Sequence, residues 1–132
     1  MGETYATVTI KNPADRSRTW RGEFLVDTGA HETFVPRCRL EAIGIEAEGS
    51  ELYELADGST VELDVGAVVV EALGRFGGLT VVFGADHAEP LLGVIALETL
   101  GAEVDLRGEC LRLLPAKRAV TPRRVRRRGR GG

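Results

Sequence analysis

Long apolar runs, cysteines and aromatic side chains are all scarce in this sequence. No apolar run approaches the roughly 20 residues that a membrane-spanning helix needs, which argues against a membrane protein. Cys38 and Cys110 are the only cysteines, and we expect two reduced, separate and semi-buried thiols. Residues 1–5 carry neither the basic nor the apolar segment of a signal peptide, so we expect a cytoplasmic protein.

Glycine, in contrast, is abundant, and many of the 17 glycines separate short apolar runs. This spacing favours many short strands over a few long helices. The length of 132 residues predicts one domain, over residues 1–115, with one modest core. A chain of this length is too short for a two-lobed enzyme, so a site that needs two equivalent halves would require a second subunit.

The charge is divided unevenly along the chain. Residues 117–132 hold eight of the 17 Lys and Arg residues and no acid, which leaves residues 1–116 with a net charge of −11. We therefore predict a basic, disordered tail over residues 116–132, either solvated, in contact with the acidic body, or removed by proteolysis. The tail has no aromatic residue for base stacking. We expect at most weak, non-specific contact with nucleic acid at low salt.

The hydrophobic pattern predicts an all-β barrel or sandwich with one short helix near the C-terminus. Asp57-Gly58 joins two alternating runs and predicts a hairpin with a type I′ turn. A helix is predicted over 94–100 and ends at Gly101, and residues 37–43 form one or two helical turns. The predicted strands are 5–10, 18–26, 33–35, 51–56, 59–65, 67–73, 79–83, 102–106 and 110–114, with turns at 12–15 and 74–78 and a polar loop at 84–90.

The segment Phe24 to Ala30 contains the candidate catalytic residue. An apolar triplet, 24–26, drives a strand into the core and is followed at once by Asp27, Thr28 and Gly29. Gly29 allows the chain to turn back and present Asp27, and Ala30 is small enough for close packing against a second copy of the loop. Two such carboxylates facing each other would share one proton and supply a general acid and a general base.

This segment resembles the hydrophobic-hydrophobic-Asp-Thr-Gly-Ala signature of the retropepsin-like aspartic proteases, and the bacterial single-domain members more than the viral ones. Leu91-Leu92-Gly93 with the following helix resembles a second family element, which packs under the catalytic loop. The Asp57-Gly58 hairpin lies between the two, where the family has its substrate-covering flap. The resemblance spans residues 5–114.

The resemblance implies a closed acid-protease barrel that acts as a two-fold homodimer on polypeptide substrates, without a cofactor. In that reading Asp27 from each subunit holds the attacking water, Thr28 braces the two loops across the axis, and Gly29 shapes the cleft floor. Residues 54–62 would form the flap. The residues expected to contact substrate are Ala30, Leu55, Ala56, Asp57, Gly58 and Ser59.

A metal site is not predicted, but a second function remains open. A metal site built from Asp27, His31, Glu32 and His87 matches neither a helical His pair nor a Cys/His module, so no metal is predicted. The alternative function is a catalytically silent binding or dimerisation module with the protease fold. Apolar residues after Gly93 and a single glycine at the flap tip favour that alternative, since the viral enzymes have a polar residue and a Gly-rich tip there.

Overall fold

The computed structural model describes residues 2–116. The predicted basic tail therefore lies outside the described residues, apart from its first position. The strands in chain order are β1 (Tyr5–Asn12), β2 (Asp15–Val26), β3 (Thr33–Pro36), β4 (Gly49–Glu54), β5 (Thr60–Ala72), β6 (Arg75–Gly84), β7 (Leu91–Leu92), β8 (Ala102–Asp105) and β9 (Cys110–Leu113). The helices are α1 (Arg37–Ala42) and α2 (Val94–Leu100).

Seven of the strands form one sheet in the order β1-β2-β7-β3-β6-β5-β4. A further pairing between β1 and β5 closes this sheet into a ring, from which β4 extends along the first half of β5. The β8–β9 hairpin forms a separate two-stranded sheet. The all-β prediction is confirmed, and the 12-residue β2 delivers the Asp27 loop to the point where β7 and β3 meet.

One apolar cluster holds the ring and both helices together. Its largest fully buried side chains include Ile10 and Phe24 from the ring, Leu40 from α1, and Leu92 and Leu100. Burial of each such side chain contributes on the order of 2 kcal/mol, so this cluster is the main source of stability. The segment that leads into the Asp27 loop is thus anchored in the core.

Helix α2 begins and ends where the sequence predicts. Its C-cap, Gly101, has a φ of 68°, the left-handed conformation that ends a helix and that glycine adopts without a Cβ clash. The predicted helical turns at 37–43 are α1. No helix within residues 2–116 is long and apolar enough to cross a membrane.

The predicted break between residues 65 and 67 is wrong, because β5 runs through Gly66 without interruption. A Cβ at this position would lie 3.0 Å from both the Glu46 carbonyl oxygen and a ring carbon of Phe83. Gly66 therefore allows close packing within a strand and does not mark a turn. The sequence alone gave no sign of these two distant neighbours.

The predicted turn at 74–78 is also wrong, since β6 already begins at Arg75. Leu73 and Gly74 form the whole connection between β5 and β6, with φ angles of 55° and 79°. Positive φ at both central residues is the mark of a type I′ turn. The chain thus places this turn at Leu73-Gly74 and not at Asp57-Gly58, where only the glycine has a positive φ, of 88°.

The two cysteines are free thiols, as predicted, but both are exposed and not semi-buried. Cys110 begins β9, and Cys38 is the second residue of α1. Among the described strands, β9 pairs with β8 alone.

Candidate active site

Strand β2 delivers Asp27 from the core to the surface. Phe24 is fully buried and Val26 nearly so, and Leu25 pairs with Leu91 of β7 in a parallel register. The backbone N–H of Asp27 donates to the Leu92 carbonyl at 3.0 Å, which extends this pairing by one residue. The position of Asp27 is therefore fixed by main-chain hydrogen bonds from a segment more than 60 residues further along the chain.

The loop itself is a tight turn closed by Asp27. Its carboxylate oxygen Oδ1 accepts the backbone N–H of Gly29 at 2.8 Å, and its carbonyl accepts that of Ala30 at 3.1 Å. Asp27 is half-buried while Thr28 and Gly29 are exposed. The turn thus uses one carboxylate oxygen of Asp27 to hold its own backbone, and Thr28 and Gly29 lie exposed beside it.

Beside this turn runs an open groove of about 370 Å³. Its walls come from the N-terminal residues 2–4, from residues 25–28, and from Val104 and Leu106 of the C-terminal hairpin. Leu106 is 83% exposed and forms the outer edge of this groove.

Helix α2 braces the loop from below. The N–H groups of Val94 and Ile95 donate to the carbonyls of Ala30 at 2.8 Å and His31 at 3.2 Å. The Gly93 N–H donates to the hydroxyl of buried Thr33 at 3.0 Å. These bonds satisfy N–H groups at the start of α2, which have no partners within the helix. The structure thus brings Leu91-Leu92-Gly93 and the Asp27 loop together.

Gly93 is required here for close approach. A Cβ on this residue would lie 2.6 Å from the His31 carbonyl oxygen, 2.7 Å from the Glu32 carbonyl carbon, and closer still to the Glu32 oxygen. Its φ of −96° is open to any residue, so the requirement is purely one of space. Only a glycine lets the helix start touch the loop backbone.

The predicted flap is the β4–β5 hairpin, whose last pair is Glu54 with Thr60. The Leu55 N–H donates to the Ser59 carbonyl at 2.8 Å, and the Gly58 N–H donates to the Leu55 carbonyl at 2.9 Å. Asp57 accepts the N–H and the hydroxyl of Ser59, at 2.9 and 2.6 Å. The Ser59 hydroxyl, followed by its N–H, lowers the pKa of Asp57. The tip is thus a locally bonded turn.

All five tip residues, 55–59, are exposed, and Leu55 is 47% exposed. Among the described residues, the hydrogen bonds of the tip are all local, so none joins it to the Asp27 loop. The chain therefore brings Asp27, Thr28, Gly29 and Ala30 together in one turn and holds residues 55–59 on a separate projecting hairpin.

A second groove, of about 300 Å³, lies between the hairpin and α2, lined by Glu32, Glu51, Ile95 and residues 78–80. Nearby, Tyr53 donates its hydroxyl to Glu51 at 3.1 Å. Burial, together with this bond and the charge of Glu32, raises the pKa of Tyr53 to about 12. Sequence reasoning missed this cluster because strand register determines which β4 residues face α2, and the sequence does not show that register.

Within residues 2–116, no group of three or more His, Cys, Asp or Glu side chains is placed to hold a metal ion. Sequence reasoning also overlooked Thr33. It is 1% exposed, and its hydroxyl bonds the Gly93 N–H. A polar residue in the otherwise apolar strand β3 was the one available signal.

No protein-family model matches this sequence, and no curated protein matches it either. Among solved structures, the chain is similar to the EIAV protease in complex with the inhibitor HBY-793. The TM-score is 0.60 and the identity 21%, over 79% of this chain and 93% of that one. A retropepsin-like aspartic protease from Rickettsia conorii also matches, with a TM-score of 0.41 and 19% identity over 80% of this chain and 86% of that one.

The similarity to the EIAV protease covers nearly all of that chain. The predicted resemblance is confirmed at the level of the fold, and this chain has the retropepsin-like aspartic protease fold.

Proposed function

We propose that this chain is an aspartic endopeptidase, in which two subunits activate a water molecule between their Asp27 carboxylates to hydrolyse peptide bonds. One observation carries the proposal. Asp27 stands half-buried in a tight turn that α2 braces from below, within a retropepsin-like fold. A braced turn that holds a carboxylate beside an open groove suits catalysis better than simple capping of a loop.

The chemistry requires a second copy of the turn, because a single carboxylate cannot act as acid and base at once. Two Asp27 side chains that face each other across a two-fold axis would share one proton. The ionised carboxylate takes a proton from the water as its oxygen attacks the peptide carbonyl carbon. The protonated carboxyl group gives its proton to the carbonyl oxygen, and the tetrahedral intermediate collapses when the amide nitrogen is protonated and leaves.

The remaining residues would position the substrate. Thr28, exposed beside Asp27, is free to bond the partner loop, and Gly29 leaves the cleft floor open. The hairpin tip, residues 55–59, would close over an extended polypeptide and exclude water. No cofactor takes part in this scheme. The exposed Leu55 would supply apolar contact with substrate.

The proposal is tested by the cleavage of unfolded casein by the full chain and by Asp27→Asn. Glu98→Gln, which makes the same chemical change at an exposed position of α2, serves as the matched control. We expect wild type and Glu98→Gln to cleave, with inhibition by a statine-type transition-state analogue, and Asp27→Asn to remain folded and inactive.

The pH profile is a second test of the same scheme. A dyad that needs one protonated and one ionised carboxylate gives a bell-shaped rate profile with its maximum below neutral pH. A rate that stays flat from about pH 4 to about pH 9 would remove the shared proton from the mechanism.

The second candidate function is a catalytically silent binding or dimerisation module. It is favoured by a flap tip with a single glycine, Gly58, and by Val94 and Ile95 directly after Gly93. A folded, dimeric wild type that cleaves neither casein nor a peptide library would support this alternative and contradict the endopeptidase.

A further inference from the structure

The outer part of the β4–β5 hairpin has little packing of its own. Between residues 51 and 63 most side chains are exposed, and no residue is fully buried until Val65. A two-stranded ribbon of this kind is marginally stable by itself. The direction in which the hairpin points therefore depends on contacts at its base, where Ser50 of β4 pairs with Asp64 of β5.

Asp64 is the centre of a hydrogen-bonded network at this base. Its Oδ2 lies 2.5 Å from Nη2 of Arg37, and its Oδ1 accepts the Ser50 hydroxyl at 2.9 Å. Both carboxylate oxygens are thus used, one towards α1 and one across the hairpin. A charge-assisted bond of this kind is stronger and more directional than a neutral one.

Arg37 is held in place from several sides. The centre of its guanidinium lies 4.7 Å from the ring centroid of Phe83, and Nη1 lies 3.6 Å from the Glu41 carboxylate. The next residue of α1, Cys38, donates its N–H to Asp86 at 2.8 Å. The cation that the hairpin base contacts is therefore fixed to the body of the domain.

Arg37 is also connected to the active-site loop. It follows β3 directly, and β3 begins at Thr33, the residue whose hydroxyl bonds Gly93 under the Asp27 loop. The hydrogen bond from Arg37, followed by that from Ser50, lowers the pKa of Asp64. The ion pair therefore persists in the mildly acidic range in which a carboxylate dyad works.

We propose that Arg37 and Asp64 form a flap-base clamp that positions the β4–β5 hairpin over the cleft, so that they are positioning residues for the proposed peptidase reaction. This inference rests on the proposed function. Because the clamp orders the hairpin before substrate arrives, substrate binding loses less conformational entropy. Loss of the clamp should act mainly on KM and on the mobility of residues 51–63.

The test compares Arg37→Met and Asp64→Asn with the charge-reversed double variant Arg37→Asp/Asp64→Arg. Glu71→Gln is the matched control, because Glu71 lies on the same strand and forms a salt bridge with Lys11 at 2.8 Å, far from the hairpin base. The readouts are kcat and KM on a peptide substrate, together with hydrogen exchange of amides 51–63 without substrate.

We expect each single variant to raise KM about two- to fivefold, the range accessible to a half-exposed ion pair, with kcat almost unchanged. Exchange at 51–63 should quicken in the same variants and leave the core strands unaffected. The charge-reversed pair should restore part of both effects, and Glu71→Gln should match wild type.

The clamp is refuted if Arg37→Met and Asp64→Asn match Glu71→Gln in both readouts, or if exchange quickens equally throughout the domain. Failure of the proposed function looks different. In that case wild type itself does not cleave, and hydrogen exchange at 51–63 alone decides whether the clamp orders the hairpin.

Discussion

Gly93→Ala tests how the Asp27 loop is supported. The added methyl group would meet the carbonyl groups of His31 and Glu32 well inside van der Waals distance, and neither is a flexible side-chain end. Either the loop or the start of α2 must move. We therefore expect a loss of stability together with displacement of Asp27.

The magnitude follows from what the movement breaks. Overpacking of this kind costs about 1–3 kcal/mol. Three hydrogen bonds span the contact, from Gly93 to Thr33, Val94 to Ala30 and Ile95 to His31, at 3.0, 2.8 and 3.2 Å. If two of them are lost at about 1 kcal/mol each, the free energy of unfolding falls by about 3–5 kcal/mol in all, a large share of a small domain's stability.

The assay is urea unfolding followed by tryptophan fluorescence from Trp20, with casein cleavage measured in parallel. Gly78→Ala is the control, because a Cβ there meets no atom within 4 Å and β6 is extended at that point. The control should be unchanged or more stable by about 0.5 kcal/mol. If Gly93→Ala unfolds at the same urea concentration as Gly78→Ala, the argument from close approach is wrong.

Three further predictions concern single side chains. Leu73→Asn should raise the free energy of unfolding by about 1 kcal/mol, because leucine is disfavoured at the φ of 55° that this turn requires. An unchanged or lower urea midpoint would contradict this. Thr33→Val should cost about 1–3 kcal/mol, because it leaves the buried N–H of Gly93 unpaired, whereas Thr33→Ser keeps the acceptor. Equal urea midpoints for the two Thr33 variants would argue against the bond. Burial and the bond to Glu51 raise the pKa of Tyr53 from 10.0 to about 12. The contribution of Tyr53 to the stability of the folded state is therefore complete below pH 10 and is lost as the pH rises to about 12. The decline in urea midpoint over that range should be smaller in Tyr53→Phe than in wild type. An identical decline in the two proteins would refute the contribution of Tyr53.

Local signals predicted the parts of the site that lie within one short segment. The apolar triplet before Asp27 and the left-handed Gly101 after α2 both act within a few residues, and the structure has them where the sequence indicates. The turn at Asp27 follows from its own side chain, which bonds the Gly29 N–H two residues on. Such short-range chemistry is readable from sequence because its partners are adjacent.

Features that depend on distant neighbours could not be predicted in this way. The sequence pattern predicts a strand break at Gly66, because the closeness of Phe83, which explains the glycine, is visible only in three dimensions. In sequence Asp57-Gly58 suits a two-residue turn better than Leu73-Gly74, yet strand register gives that turn to the second pair. The Arg37–Asp64 pair, 27 residues apart, likewise depends on the register of β4 and β5.

The dependence of the Asp27 turn on residues 91–95 also orders events during synthesis. The ribosome releases Asp27 early, but the carbonyl of Leu92 and the N–H groups of α2 that hold its loop emerge only about 65 residues later. Until then the nascent chain carries the signature without the brace that shapes it. The proposed activity is therefore expected only after most of the domain has been made.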